Sequence, residues 1–126
     1  MQAFQIESIT GLDGLVMRDV PDPRPGPGQP LVKVHARSLN YRDLLILAGS
    51  YAVPAQLGVV ALSDGAGEVV EVGAGVTRVA VGDRVMATYF PRWTDGRFAM
   101  RLAVDQFGCT REACSRRWPR WMSRRS

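Results

Sequence analysis

One histidine and two cysteines, Cys109 and Cys114, stand in a chain of 126 residues. A zinc site takes about four ligands, so these residues are too few and too scattered to build one. The two cysteines read as a reduced, unlinked pair. No apolar run approaches the roughly 20 residues that a membrane-spanning helix needs. The opening residues, MQAFQIESITG, lack the basic segment and apolar stretch of a secretory leader. A cytoplasmic protein without a membrane partner is expected. A phosphate-cradling loop is missing too. Gly65-Ala66-Gly67-Glu68-Val69-Val70 begins like G-x-G-x-x-G, but Val70 stands at the third glycine and the run leads into a strand, not a helix.

The net charge of +4 invites a nucleic-acid reading, and its distribution removes it. Residues 111–126 hold six arginines and one glutamate, a net +5, which leaves −1 for residues 1–110. No nucleic-acid partner is expected.

What is abundant is punctuation: 13 glycines and eight prolines in a chain that is 46% hydrophobic and 22% charged. That is a globular, turn-rich composition long enough for one modest core. Residues 1–8 and Leu15–Val20 read as strands across a Gly11–Gly14 turn. Pro21–Pro30 is a connector that cannot continue a ladder. Leu31–Asn40 alternates cleanly, with Val32, Val34, Ala36 and Ser38 on the face expected to look inward. A short helix follows over Tyr41–Gly49, with Asn40 as N-cap, Asp43 placed as in a capping box and Gly49 as the stop. Arg101–Phe107 fits either strand or helix.

The chain is organised around Leu57–Val85. Gly65-Ala66-Gly67 allows close backbone approach, Glu68–Val72 is β-branched strand, Gly73-Ala74-Gly75 breaks it, and a turn at Gly82-Asp83 opens the strand Arg84–Tyr89. The pattern G-x-G-x-V-x-x-V-G-x-G-V-x-x-x-x-x-G-D-R-V resembles the GroES-like catalytic domain of the medium-chain dehydrogenase/reductase superfamily, which includes zinc alcohol dehydrogenases and quinone oxidoreductases. The resemblance implies a mainly β fold, a GroES-like partial β-barrel with one short helix. It also implies a nucleotide-binding Rossmann domain that this chain lacks.

Zinc alcohol dehydrogenases place a zinc-binding cysteine where this chain has Asn40, and a Gly-His-Glu segment where it has Leu62-Ser63-Asp64. An amide and a hydroxyl are poor zinc ligands, so no zinc is expected. The chain instead resembles the zinc-independent, quinone oxidoreductase-like branch, which implies NADP or NAD as cofactor and a small carbonyl, enone or quinone as substrate. Intact members of the family are expected to be homo-oligomers. By that resemblance Asn40, Tyr41 and Arg42 lie against the nicotinamide and ribose, and Asp43, Tyr51, Ser63 and Asp64 line the same cleft. Five of these seven have a plainer reading. Asn40 and Asp43 cap the helix, Tyr51 packs in its loop, and Ser63 and Asp64 cap a turn. His35 reads as a solvated surface residue. A non-catalytic, stand-alone GroES-like binding module is the alternative function.

After Glu112 the character changes. Residues 113–126 have no hydrophobic period and carry two of the three tryptophans. The expected organisation is an incomplete GroES-like catalytic domain over 1–112, inactive alone, and a basic, frameshifted, disordered tail over 113–126. With suitable codons, one G inserted after codon 112 turns this tail into Glu-Gly-Met-Leu-Ala-Glu-Val-Ala-Ala-Val. That resembles the family's next turn and strand. Trp118, Trp121 and Met122 each permit one codon, and all three fit. Resequencing the locus is expected to show a one-base loss near codon 113; an unbroken read with no open alternative frame overturns that expectation.

Overall fold

The computed structural model describes residues 1–111 and the backbone of residues 123–124. Strand β1 (Gln2–Ile6) pairs antiparallel with β2 (Leu15–Asp19) across the Gly11–Gly14 turn. Residues 58–61 run along the other edge of β1: Gly58 N–H donates to Ile6 O at 2.7 Å, Ile6 N–H to Val59 O at 3.0 Å, and Ala61 N–H to Phe4 O at 3.0 Å. The second sheet has the order β3-β4-β5-β6, all antiparallel, from β3 (Pro30–Ser38), β4 (Asp64–Val72), β5 (Arg84–Met86) and the two-residue β6 (Ser123–Arg124). Helix α1 (Tyr41–Leu47) joins β3 to the 48–63 segment, and α2 (Met100–Ala103) is a single turn. The expected partial barrel with one short helix is what forms, with α2 as a brief addition in the stretch that fitted either strand or helix.

Three apolar clusters hold it together. Val32, Val69, Val79 and Val85 fill the space under the second sheet. Ile6, Ile46, Leu47, Val59 and Cys109 tie the hairpin, α1 and the 107–111 loop. Ala3, Val20 and Val60 close the first sheet. Cys109 is a free, fully buried thiol, while Cys114 lies outside the described residues. So does most of the 113–126 tail. Its two described residues are the strand β6.

The inward face of β3 is shorter than its alternation suggests. Val32 is buried and Val34 half-buried, but Ala36 and Ser38 are exposed. A register shift between Val34 and Ala36 breaks the two-residue period, so the strand's last residues leave the core side. The strand expected over Arg84–Tyr89 stops at Met86, because Thr88 onward enters an aromatic-rich loop in which Tyr89, Trp93 and Phe98 ring Phe90. His35 is exposed. Among the described residues no helix is long and apolar enough to cross a membrane.

The close approach expected at Gly65–Gly67 is real, and it falls on Gly67. A Cβ there would sit 2.1 Å from Lys33 O and 2.9 Å from Val32 Cγ1. The β3–β4 pairing has no room for a methyl group at this point. Gly67→Ala is expected to lower unfolding stability by about 3 kcal/mol, the upper end of overpacking costs, read as a fall in the urea midpoint. An unchanged midpoint would show that β4 can shift to accept it.

Candidate functional site

The site grows out of the β3–β4 register. Ser38 at the end of β3 stands opposite Asp64 at the start of β4. Asn40, two residues further on, adopts extended backbone angles and begins α1. Its backbone N–H donates to Asp43 Oδ2 at 2.9 Å, as a capping box requires. Its side-chain Nδ2 donates to Asp64 Oδ2 at 2.7 Å. Asn40 therefore caps the helix through its backbone and reaches the facing strand with its amide.

One residue along α1, Arg42 turns into a second set of partners. Its Nη2 donates to Gln106 Oε1 at 2.8 Å and to Phe107 O at 3.0 Å. The guanidinium lies over two phenol rings, 5.0 Å from the Tyr51 centroid and 4.7 Å from that of Tyr89. The two hydroxyls are 2.6 Å apart, and each lies within hydrogen-bond reach of Gln106 Oε1, at 3.0 Å for Tyr51 and 2.9 Å for Tyr89. Arg42 Nη1 forms a looser ion pair with Asp43 Oδ1 at 3.7 Å, and the two side chains are only 10% and 14% exposed. That contact joins the Asn40–Asp64 pair to the tyrosine cluster.

Gln106 is held firmly. It is 1% exposed, its Nε2 donates to Ala103 O at 2.5 Å, and its backbone N–H donates to Thr110 Oγ1 at 3.2 Å. Asp105 grips Arg111 with both oxygens, at 2.5 and 2.9 Å, closing the loop on itself.

Helix α1 has a second, apolar flank. Tyr41 and Leu44 line an apolar cavity of about 450 Å³ with Leu12, Leu39 and Leu62. Tyr41 is 76% exposed and takes no part in the polar network. Leu62 adopts a left-handed backbone, φ +77, alone among the described non-glycine residues. Its backbone is pressed by Gly108, where a Cβ would lie 2.5 Å from Leu62 O. Such a conformation costs about 1–3 kcal/mol and persists only when its surroundings impose it. Ser63, next in the chain, is fully buried.

The structure thus brings Asn40, Arg42, Asp43, Tyr51 and Asp64 into one network, sets Tyr41 on the neighbouring cavity and buries Ser63 behind it. Tyr89 and Gln106 were not foreseen. Tyr89 fell in a run that read as strand, and the one available signal for Gln106 was a lone amide within an apolar stretch.

The donor set answers two questions of fit. Asn40 and Ser63 offer an amide already donating to a carboxylate and a buried hydroxyl, which do not suit zinc. Arg42 Nε and Nη1 are buried with no hydrogen-bond partner among the described residues. Cationic donors of this kind suit the oxygens of a carboxamide or a ribose, so a nicotinamide nucleotide fits.

Residues 26–116 match the alcohol dehydrogenase GroES-like domain family. A zinc-type alcohol dehydrogenase-like protein of Schizosaccharomyces pombe is 39% identical over 113 residues, which are 89% of this chain and 33% of that protein. An acryloyl-coenzyme A reductase of Metallosphaera sedula is 42% identical over 80 residues, 61% of this chain and 23% of the other. A solved structure from Sinorhizobium meliloti 1021, assigned as a zinc-binding dehydrogenase and bound to NADP, superposes with a TM-score of 0.77 at 27% identity. It covers 98% of this chain and 37% of that one. The chain spans between about a quarter and just over a third of the length of these relatives.

Burial pushes the Tyr89 phenol up, as does its hydrogen bond with Tyr51, while Arg42 pulls it back. Burial also raises the Cys109 thiol, again against Arg42. Both groups hold their proton more tightly folded than unfolded. Their stability contribution is therefore complete below the unfolded values, about 8.5 for a thiol and about 10 for a phenol, and is lost as pH rises through the folded ones. The urea midpoint is expected to fall steadily from about pH 8.5 upward, with Cys109→Ala flattening the first part and Tyr89→Phe the part above about pH 10. A midpoint constant to pH 11 would contradict the burial of both groups.

Proposed function

The chain belongs to the alcohol dehydrogenase GroES-like family, and from that membership we propose that it forms the substrate-side wall of a zinc-independent NAD(P)H-dependent oxidoreductase. Its substrate is a small carbonyl, enone or quinone. The observation that carries this reading is the single network of Asn40, Asp64, Asp43, Arg42 and Tyr51. It gathers donors and acceptors at one end of α1, beside an apolar cavity of about 450 Å³. The acryloyl-coenzyme A reductase relative supports an activated alkene or carbonyl as substrate, and the NADP-bound neighbour supports the cofactor.

In this reading Asn40, Tyr41 and Arg42 hold the nicotinamide and ribose end of the cofactor, and Asp43, Tyr51, Ser63 and Asp64 line the substrate side. When bound, the reduced nicotinamide supplies hydride. The chain's own residues bind, orient and handle the proton. Arg42 keeps its guanidinium planar between two phenols and so presents Nε and Nη1 in a fixed direction. Asp64 fixes the Asn40 amide, which sets how α1 leaves β3. Tyr51 holds the phenol proton on the substrate side. Residues 1–112 form an incomplete GroES-like catalytic domain, inactive alone.

Saturation-transfer NMR on the chain tests this directly, with 2-cyclohexenone, p-benzoquinone and NADPH as ligands. Transfer to the enone and to the nicotinamide protons is expected, unaffected by EDTA. Arg42→Ala is expected to weaken the nicotinamide contact about tenfold, the loss typical of a hydrogen bond to a charged group. A folded chain that transfers to none of the three ligands sinks the reading and returns the chain to a non-catalytic binding module.

A further inference from the structure

Asn40, Tyr41 and Asp43 line the apolar cavity beside α1, and they are the only residues on its wall with polar side chains. Every other lining residue is leucine, isoleucine, alanine or glycine. The cavity is polar along the Asn40–Asp43 stretch and oily elsewhere. Leu12, Leu39 and Leu44 on its wall are exposed, so it opens to solvent. An apolar cavity of about 150 Å³ stays dry and holds a six-carbon ring. At about 450 Å³ this one has room for a longer apolar group. Leu62 stands on the same wall at φ +77, a region that glycine enters freely and leucine does not. Glycine there would keep the backbone path without the strain. What leucine adds is a side chain on the cavity, and the strain is borne for that side chain.

We propose that this cavity takes the unbranched aliphatic tail of the substrate, and that Leu62 sets how long a tail it accepts. This rests on the reductase reading above and names its substrate class: a carbonyl or enone that carries an alkyl chain. The link to that reading is the shared wall. Asn40 and Tyr41 belong to the cofactor side and Asp43 to the substrate side, and all three border the cavity. A molecule seated there has its polar head at the Asn40–Asp43 stretch and its tail among Leu12, Leu44 and Leu62. The tail displaces no ordered polar contact, because the rest of the wall offers none. Each methylene added to the tail then gains affinity until the oily space is filled. Leu62 occupies part of that space, so its side chain acts as a length gauge.

The whole chain with ¹³C-methyl leucine, titrated with the 2-alkanones from 2-pentanone to 2-undecanone, tests this by NMR. The Leu12, Leu44 and Leu62 methyls are expected to shift. Affinity is expected to rise about threefold for each methylene and to level off at a tail of about seven carbons, a little more than the ring held by a cavity a third this size. Leu62→Gly is expected to move that levelling point to tails longer by about two carbons, and Leu62→Ala to move it in the same direction. Leu62→Gly is also expected to have the higher urea midpoint of the two, since alanine loses the side chain and keeps the strain. Should Leu62→Gly fail to fold, the Leu62→Ala and wild-type profiles decide. Affinity that ignores tail length, or a levelling point that stays put in the variants, overturns the proposal. So do leucine methyls that ignore the ketones and shift with protein concentration, which would assign the cavity to a second copy of the chain. NADPH in the same samples separates this failure from that of the reductase reading. Saturation transfer to the nicotinamide with a flat ketone series removes the tail pocket and leaves the reductase reading standing. A rising ketone series with no transfer to the nicotinamide removes the reductase reading, and the substrate role of the cavity with it.

Discussion

Burying the guanidinium of Arg42 is the demand that the rest of the site meets. A charge taken out of water costs several kcal/mol unless it is paired and hydrogen-bonded. Here the relief comes from places far apart in the chain: the Gln106 amide and Phe107 carbonyl from the 104–111 loop, the Tyr51 ring from after α1, the Tyr89 ring from after β5, and Asp43 from the same helix. Each of these segments is short and has little regular structure of its own. They converge because one cation needs all of them. The apolar cluster of Ile6, Ile46, Leu47, Val59 and Cys109 lies beneath and supplies the non-directional part of the same closure.

The sheet contributes direction. β3 and β4 pair so that Ser38 meets Asp64, and the chain leaves β3 with Asn40 already within 2.7 Å of the Asp64 carboxylate. A slip of the pairing by one residue would turn Asp64 to the opposite face and release Asn40. Gly67 in β4 sits at van der Waals limit against Lys33 and helps pin that register from the middle of the strand. The fold and the site therefore share their critical contacts. The strand pairing that makes the partial barrel also aims the first turn of α1.

The parts legible in the sequence were those with local signatures. The alternation of Leu31–Asn40, the cap at Asn40 with Asp43 three residues on, the stop at Gly49 and the glycine punctuation from Gly65 to Gly82 each carry their own physics, and β3 and α1 form within two residues of them. β4 starts at Asp64, four residues before the strand read at Glu68, because Gly65–Gly67 pair with β3. The resemblance drew attention to Asn40, Arg42, Asp43, Tyr51 and Asp64, which the structure gathers together. Tyr89 and Gln106 were illegible for a physical reason. Neither has a spacing or a neighbour that marks it, and each gains its partners only when two remote loops close on α1. The short inner face of β3 was missed for a related reason, since the register shift after Val34 arises from pairing with β4 and leaves no mark in β3 itself.

The contact between Leu62 and Gly108 has a mechanical meaning. It joins backbone to backbone, so no side-chain rotation can loosen it. No side chain fits between the loop that carries Gln106 and the segment that carries Ser63, because a Cβ on Gly108 would lie 2.5 Å from Leu62 O. Any residue larger than glycine at position 108 would have to push the floor of the apolar cavity away from the loop behind it.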